Sequence, residues 1–335
     1  MTIVGGRIDG AAMWDFSFTR SVGAIVRTLP FVALRLVVYL GIAVCYVLAT
    51  GIGALLGMGF GYIFGSRTSG ALWGGLIGFG LTSAVLYLAR EYLLYLVKAA
   101  HIAVLVEILD GKQIPAGQGQ IAFGAGFVKT HFAESSVLFG VDQVIKGVLR
   151  VISGTLNAIT AFLPIPALQT LIRLAEAVIR MSLTYVDEII LAYLIRTRTT
   201  NPWDGARDAL VLYAQNYKHF LKNAVWLSLF MWGTTLAIFL VLLAPAGAVA
   251  YLVHGDAGLW TFAFALIFAV ALKKALLEPL AIYSLMQVYF KTIEGQTPDP
   301  EWSERLNSAS RHFRELGQKA SGWIPRPAMP PGAPT

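Results

Sequence analysis

Long apolar runs separated by short polar segments dominate the pattern along the chain. They extend over residues 36–64, 71–89 with a helical continuation to about 109, 224–253, and 259–272 with a continuation to about 289. A helix needs about 20 apolar residues to cross the hydrocarbon core of a bilayer. The pattern predicts an all-α integral membrane protein with about four spans, which the short linkers 65–70 and 254–258 join into two transmembrane helical hairpins.

The same pattern divides the chain into five parts. These are a cytoplasmic N-terminal segment (1–29), a first transmembrane hairpin (30–110), cytoplasmic or interfacial amphipathic helices (111–222), a second transmembrane hairpin (223–295) and a polar, proline-rich disordered tail (296–335). The two hairpins look like copies of one unit, since Leu109-Asp110-Gly111 aligns with Ile293-Glu294-Gly295. Such a duplication is a common way to build a membrane protein.

The central region has its own helical periodicity. Apolar residues recur every three or four positions over 141–163 and again over 168–194, on either side of the break at Pro164 and Pro166. Two amphipathic helices are therefore expected, either lying in the membrane interface or docked against the spans. A shallow membrane-inserted hairpin is the alternative.

The composition and the charge distribution give the orientation. The chain is 56% hydrophobic and only 13% charged, against about 25% charged residues in a typical soluble domain. Of 26 Lys and Arg residues, only Arg67 lies in a hairpin linker. The positive-inside rule then predicts a multi-pass protein of a cell (cytoplasmic or inner) membrane with both termini in the cytoplasm. The net charge of +7 fits contact with anionic headgroups, so no nucleic-acid partner is expected.

Glycines at spacing four form two series in the first hairpin. The first series is Gly53, Gly57, Gly61 and Gly65, and the second is Gly70, Gly74 and Gly78. This spacing places each series on one helix face, where small residues let two backbones approach closely. The stripes predict helix packing, either between the two arms of the hairpin or at a self-association face or moving gate.

Charged residues in the last apolar region are the candidate binding site. Lys273, Lys274 and Glu278 follow only a short apolar run, and charges at membrane depth usually face an interior path or each other. Lys274 and Glu278 stand four residues apart and can pair on a helix. They are candidates for binding an ion or a zwitterionic headgroup; the alternative places them at the cytoplasmic headgroup layer.

Catalytic signatures are not found in the sequence. The five histidines are scattered without metal-ligand spacing, and the single cysteine, Cys45, is interpreted as a packing residue. No phosphate-binding loop or nucleophile elbow occurs. The prediction is a protein that is not an enzyme, with no catalytic residues, no cofactor and no metal.

One segment resembles a known family. Residues 206–216, ARDALVLYAQN, are similar to the A-R-x-A-x-x-L-x-x-x-N stretch that precedes a span in choline-transporter-like proteins. The acidic end of the last helix, Tyr289 to Glu294, is also similar, so the resemblance covers about 186–300. It implies a polytopic carrier-like fold and choline or ethanolamine-type substrates. Those proteins have about ten spans and a large outer loop, which this chain lacks.

Two classes of function follow. The preferred hypothesis is a non-catalytic polytopic membrane protein, a scaffold or a subunit of a membrane complex, whose partners are the lipid bilayer and either further copies of the chain or another membrane protein. Its short outer loops and large inner surface favour this class. The alternative is a small oligomeric transporter or lipid-handling protein that resembles choline-transporter-like carriers.

Overall fold

Helices make up nearly all of the structure, a computed structural model. It describes residues 7–8, 11–12, 14–63, 65–114, 118–131, 137–149, 183–254 and 258–324. The helices are α1 (Phe18–Arg27), α2 (Leu29–Ile63), α3 (Arg67–Leu109), α4 (Gln120–His131), α5 (137–149), α6 (Val186–Thr197), α7 (Pro202–Gln215), α8 (Tyr217–His254), α9 (Gly258–Leu272), α10 (Glu278–Thr292), α11 (Pro300–Ala309) and α12 (Arg311–Ser321). A π-helical turn, Lys273–Leu277, joins α9 to α10. The only strands among the described residues are Arg7–Ile8 and Ala11–Ala12, paired antiparallel. The predicted helical fold class is confirmed.

The chain divides into two compact units, and each is assembled from several segments. The core unit comprises residues 1–28, 99–233 and 278–335, and the apolar unit comprises 29–98 and 234–277. The borders fall between α1 and α2, inside α3 and α8, and at the end of the π-helical turn. The structural units therefore differ from the predicted hairpins 30–110 and 223–295, because the long helices α3 and α8 each contribute one part to each unit, whereas α2 lies wholly in the apolar unit.

The apolar unit exposes large hydrophobic side chains along its helices. Val37 is 68% exposed, Leu55 67% and Val241 74%. A soluble protein rarely exposes a large continuous apolar surface, whereas lipid solvates it without cost. This surface is that of helices embedded in a membrane.

Three helices are long and apolar enough to cross a membrane within the part of the chain that the structure describes: Leu29–Ile63, Tyr92–Leu109 and Tyr217–Ala248. The first and third agree with predicted spans. The second is half buried, against 12% and 17% for the others, because residues such as Ile102 and Leu105 lie in the core unit with no exposure. The predicted fourth span is a helix of 15 residues, α9, that ends at the π-helical turn.

The core unit has the packed interior of a globular domain. Tyr213 stacks on Phe220 with ring centroids 4.7 Å apart, and the ring of Tyr289 lies 5.5 Å from that of Phe220. The Tyr289 hydroxyl donates a hydrogen bond of 3.1 Å to the carbonyl of Ala209. This cluster ties α7, α8 and α10 together.

The central amphipathic region contributes to this interior. The apolar face of α5 is buried at Ile145 and Val148, and that of α6 at Ile190 and Leu194. The described part of the region is therefore packed inside protein. The predicted second helix is interrupted by a turn at residues 184–185, so α6 begins at Val186. Residues 150–182, with Pro164 and Pro166, lie outside the described residues.

The prediction of a disordered tail over 296–335 is wrong for residues 300–321. Asp299 caps α11 by accepting a hydrogen bond of 2.7 Å from the Glu301 amide, and Ser310 caps α12 by accepting one of 3.3 Å from the Phe313 amide. Phe313 and Leu316 are completely buried. Their burial in the core unit fixes these polar helices, and residues 325–335 lie outside the described residues.

Candidate functional site

The charged residues predicted as a site fall at an irregular point of the helical run. Lys273 and Lys274 belong to the π-helical turn of the apolar unit and are half-buried. Glu278 begins α10 in the core unit and is 4% exposed. A π-helical turn within α-helix is rare and occurs often at functional sites. The pairing of Lys274 with Glu278 and its role in binding stay predictions.

A further cation, missed as a site residue from the sequence, lies against this turn. Arg35 is 1% exposed, and its Nη1 donates to the backbone carbonyl of Lys274 at 3.5 Å. A buried guanidinium is costly unless hydrogen bonds and charges compensate it. The signal was present in the sequence, since Arg35 stands two turns inside an apolar helix.

The glycine stripes bring the backbones of α2 and α3 together within the apolar unit. A Cβ placed on Gly53, Gly57, Gly70, Gly74 or Gly78 would overlap a backbone carbonyl of the facing helix, and one placed on Gly61 would overlap the carbonyl of Ser66 in the turn between the helices. Gly65 differs from the other six. It lies in the turn between the helices with φ of 87°, and among the residues that the structure describes none comes within 4 Å of its Cβ position. A role of the stripes in self-association stays a prediction.

The core unit contains a polar groove that the sequence did not reveal. It has a volume of about 1020 Å³. Its wall is formed by Trp14, Asp15, Phe16, Ser17, Arg20, Leu109, Tyr193, Arg196, Thr197, Leu212, Gln287, Phe290, Lys291, Ile293, Glu294 and Gln296. We call it the Asp15 groove. Its size is in the range of binding pockets for small molecules or peptide side chains.

Asp15 in the groove is bound by three side chains of α8, those of His219, Lys222 and Asn223. Its backbone amide donates to Asn223 Oδ1 at 2.7 Å, and its carboxylate accepts from Asn223 Nδ2 at 2.8 Å and from Lys222 Nζ at 2.8 Å. His219 Nε2 lies 3.3 Å from the same carboxylate. Burial raises the pKa of Asp15, but these bonds outweigh burial and leave the pKa below its ordinary value of 3.8. Asp15 thereby fixes the N-terminal segment to α8.

The opposite wall holds an arginine in a defined position. Arg196 Nε donates to Asp110 Oδ1 at 2.9 Å, and its guanidinium lies 4.3 Å from the centre of the Phe290 ring. Arg20 and Lys291 also line the groove, and neither side chain forms an ion pair or hydrogen bond with the residues that the structure describes. The positive charges of Arg20 and Lys291 could therefore interact with a bound molecule, next to the ring of Phe290.

Comparison with known proteins gives no family for this chain. No protein-family model matches it, and neither the curated proteins nor the solved structures contain a significant match. The resemblance to choline-transporter-like proteins therefore stays a prediction. In this structure, Arg207 of that segment donates from Nη2 to Ser303 Oγ at 3.0 Å and lies 5.6 Å from the Phe313 ring. Asn216 donates to Gln296 Oε1 at 2.7 Å. Both side chains bind parts of the C-terminal region.

Proposed function

We propose that the protein is a non-catalytic membrane scaffold, or a subunit of a membrane complex, with the core unit as its docking part. The observation that supports this is the contrast between two surfaces in one chain. The apolar unit exposes residues such as Val37 and Leu55 that only lipid solvates well, whereas the core unit buries an aromatic cluster as a globular domain does. In this proposal the apolar unit anchors the chain in the membrane, and the folded core unit provides the surface that binds a partner.

The core unit belongs on the cytoplasmic side of a cytoplasmic or inner membrane in this proposal. The distribution of Lys and Arg supports that side, because only Arg67 lies between the arms of a hairpin. Both termini are then cytoplasmic. The partner that docks is a further copy of the chain or another membrane protein.

Site-specific photo-crosslinking tests the docking role. A benzophenone amino acid at Thr197, on the wall of the Asp15 groove, is expected to give one discrete adduct of higher mass, containing a second copy or one defined membrane protein. The same amino acid at exposed Glu304 on α11 is the matched control and should give no such adduct. Identical patterns at both positions, together with a monomer in gentle detergent, would reject the scaffold function.

A small transporter or lipid-handling protein is the second candidate. The buried Arg35 beside the π-helical turn supports it, since a cation held among apolar helices can serve a polar substrate group. Lys274→Leu and Glu278→Leu are expected to remove thermal stabilisation by phosphocholine, a zwitterionic headgroup whose phosphate suits the lysine and whose quaternary ammonium suits the glutamate, while folded protein is still obtained. Unchanged stabilisation in both variants would exclude a substrate role for these residues, and Lys273→Leu extends the test to the adjacent cation.

A further inference from the structure

Helix α1 combines an exposed apolar face with two arginines on one flank. Val22 is 39% exposed and Val26 58% exposed, whereas Ser21, Ala24 and Ile25 are buried. The two arginines lie on a different flank of the exposed surface, because positions 20 and 27 do not share a helix face with positions 22 and 26. A helix with an apolar strip and cations on another flank of its exposed surface can lie in a membrane interface, with the strip towards the acyl chains and the cations towards the headgroups. In α1, however, the buried face is already occupied by protein, so the exposed valines form a second, outward apolar face.

The orientation of α1 is fixed by hydrogen bonds inside the core unit. The hydroxyls of Ser21 and Ser284 lie 2.7 Å apart, and Gln287 Nε2 donates to Ser21 Oγ at 2.8 Å. The backbone amide of Ser17 in turn donates to Gln287 Oε1 at 3.2 Å. Because α1 cannot rotate without breaking these buried bonds, Val22 and Val26 stay on the outside.

Exposed aromatic residues of α8 continue this surface. The ring of Phe18 meets that of Phe230 edge to face, with centroids 5.2 Å apart. Phe230 is itself 42% exposed, and Trp226, one helical turn before it and therefore on the same face of α8, is 37% exposed. Tryptophan is enriched where a protein passes through the headgroup layer of a membrane. The apolar face of α1 therefore adjoins residues typical of that layer.

Arg20 and Arg27 stand seven residues apart, which places them on the same side of α1. Burial raises the pKa of the Tyr283 hydroxyl, and the positive charges of both arginines oppose that rise, so both act on the same neighbour in α10. Neither arginine side chain forms a hydrogen bond or ion pair within the described residues. The sequence contains no Asp or Glu between Asp15 and Glu91, and Asp15 is bound by Lys222 and Asn223.

We propose that α1 is a binding site for anionic phospholipid, in which Arg20 and Arg27 bind the headgroup phosphates while Val22 and Val26 contact the acyl chains. Guanidinium groups bind phosphate oxygens through paired N–H donors. The exposed valines of α1 and the exposed Trp226 of α8 favour a phosphate carried by a lipid over the free ion. This inference rests on the membrane embedding and is independent of the scaffold role.

Lipid titration of the full chain tests the proposal. The protein in detergent is titrated with dioleoyl-phosphatidylglycerol or with dioleoyl-phosphatidylcholine, and bound lipid is counted by native mass spectrometry. The wild type should bind phosphatidylglycerol more tightly than phosphatidylcholine. Each of Arg20→Gln and Arg27→Gln should weaken phosphatidylglycerol binding by roughly fivefold, the contribution of one cation near an anionic surface, and phosphatidylcholine binding should not change.

Three further arms make the test decisive. Arg198→Gln with Arg311→Gln removes two exposed cations elsewhere on the core unit and should leave phosphatidylglycerol binding unchanged. The variant with Arg20→Lys and Arg27→Lys keeps both positive charges and should retain part of the preference for phosphatidylglycerol over phosphatidylcholine. Because this variant tests the same two positions, it separates a loss of lipid binding from a failure to fold. Inorganic phosphate should not displace the lipid. Equal binding of the two lipids, wild-type binding by Arg20→Gln and Arg27→Gln, or full displacement by phosphate would each overturn the proposal.

Discussion

Single glycines carry the contact between the two arms of the first hairpin. Gly57 faces the Gly70 carbonyl so closely that even a methyl group does not fit, and the nearest atoms belong to backbone that cannot swing aside. Gly59, in the same helix, has no atom of the described residues within 4 Å of its Cβ position. Two neighbouring glycines in one apolar run thus have different functions in packing.

The first prediction concerns these two positions. Gly57→Ala is expected to destabilise the hairpin by about 1–3 kcal/mol, the usual cost of overpacking a tight contact. Gly59→Ala should be neutral or slightly stabilising, because alanine is the better helix former. The thermal unfolding midpoints of the two variants in detergent provide the measurement. Equal midpoints would show that α2 and α3 do not pack at Gly57.

The charge of Asp15 gives a pH-dependent prediction. Its pKa in the folded protein lies below its ordinary value of 3.8. The bonds from Lys222 and Asn223 therefore stabilise the fold fully above that value, and their contribution is lost as the pH falls through the folded pKa. Asp15→Asn should lower the unfolding midpoint at neutral pH, and its difference from the wild type should shrink on acidification. A difference that does not change with pH would contradict the assigned charge interaction.

At the scale of the elements, the C-terminal helices show how buried side chains fix a polar segment. Residues 300–321 carry few apolar residues, yet Phe313 and Leu316 have no exposure and Leu306 is 7% exposed. Lys319 lies 4.5 Å from the centre of the Trp203 ring, and the Asn201 side chain donates to the Ala320 carbonyl at 2.9 Å. The helices are therefore part of the core unit.

Truncation of one of these side chains tests that conclusion. Phe313→Ala is expected to destabilise the core unit by about 3–5 kcal/mol, as removal of a buried phenylalanine usually does. It should also make the bonds after Arg311 and Arg314 sensitive to trypsin. Glu304→Ala, at an exposed position of α11, is the control and should change neither property. A Phe313→Ala variant as stable and as resistant as the wild type would restore the interpretation of a disordered tail.

The sequence predicted an element well where a run of apolar residues marks it, and poorly where a few buried residues or a contact between distant positions defines it. The apolar runs predicted α2, α3, α8 and α9 because lipid-exposed helices are apolar on every face. The helices of the tail were not predicted, because only three apolar residues among many polar ones pack them against the core unit. Asp299 and Ser310 could have indicated the helix starts, since Asp and Ser are favoured N-cap residues. The Asp15 groove could not be predicted, since Asp15 and Asn223 meet from positions 208 residues apart.

At the scale of the molecule, some apolar helices are buried among other protein residues, whereas others are exposed on the surface of the apolar unit. The helical stretch Tyr92–Leu109 is half buried, because its part from Ala99 onward lies in the core unit, whereas the helix Leu29–Ile63 is also apolar but remains largely exposed. Composition alone does not separate these cases, because both produce a run of about 20 apolar residues. Burial separates them, and it identifies the apolar unit as the part that lipid must cover.

We propose above all that the apolar unit is embedded in a membrane and that residues 1–28, 99–233 and 278–335 are cytoplasmic, and cysteine accessibility tests this proposal most directly. Cys45 is the only cysteine, so a Cys45→Ala chain can carry a single new cysteine, Ser66→Cys in the turn between α2 and α3 or Ser308→Cys on α11. An impermeant maleimide applied to intact cells should label Ser66→Cys, and Ser308→Cys should be labelled only after the membrane is permeabilised. Labelling of Ser308→Cys in intact cells, or recovery of the chain in the soluble fraction, would contradict the account.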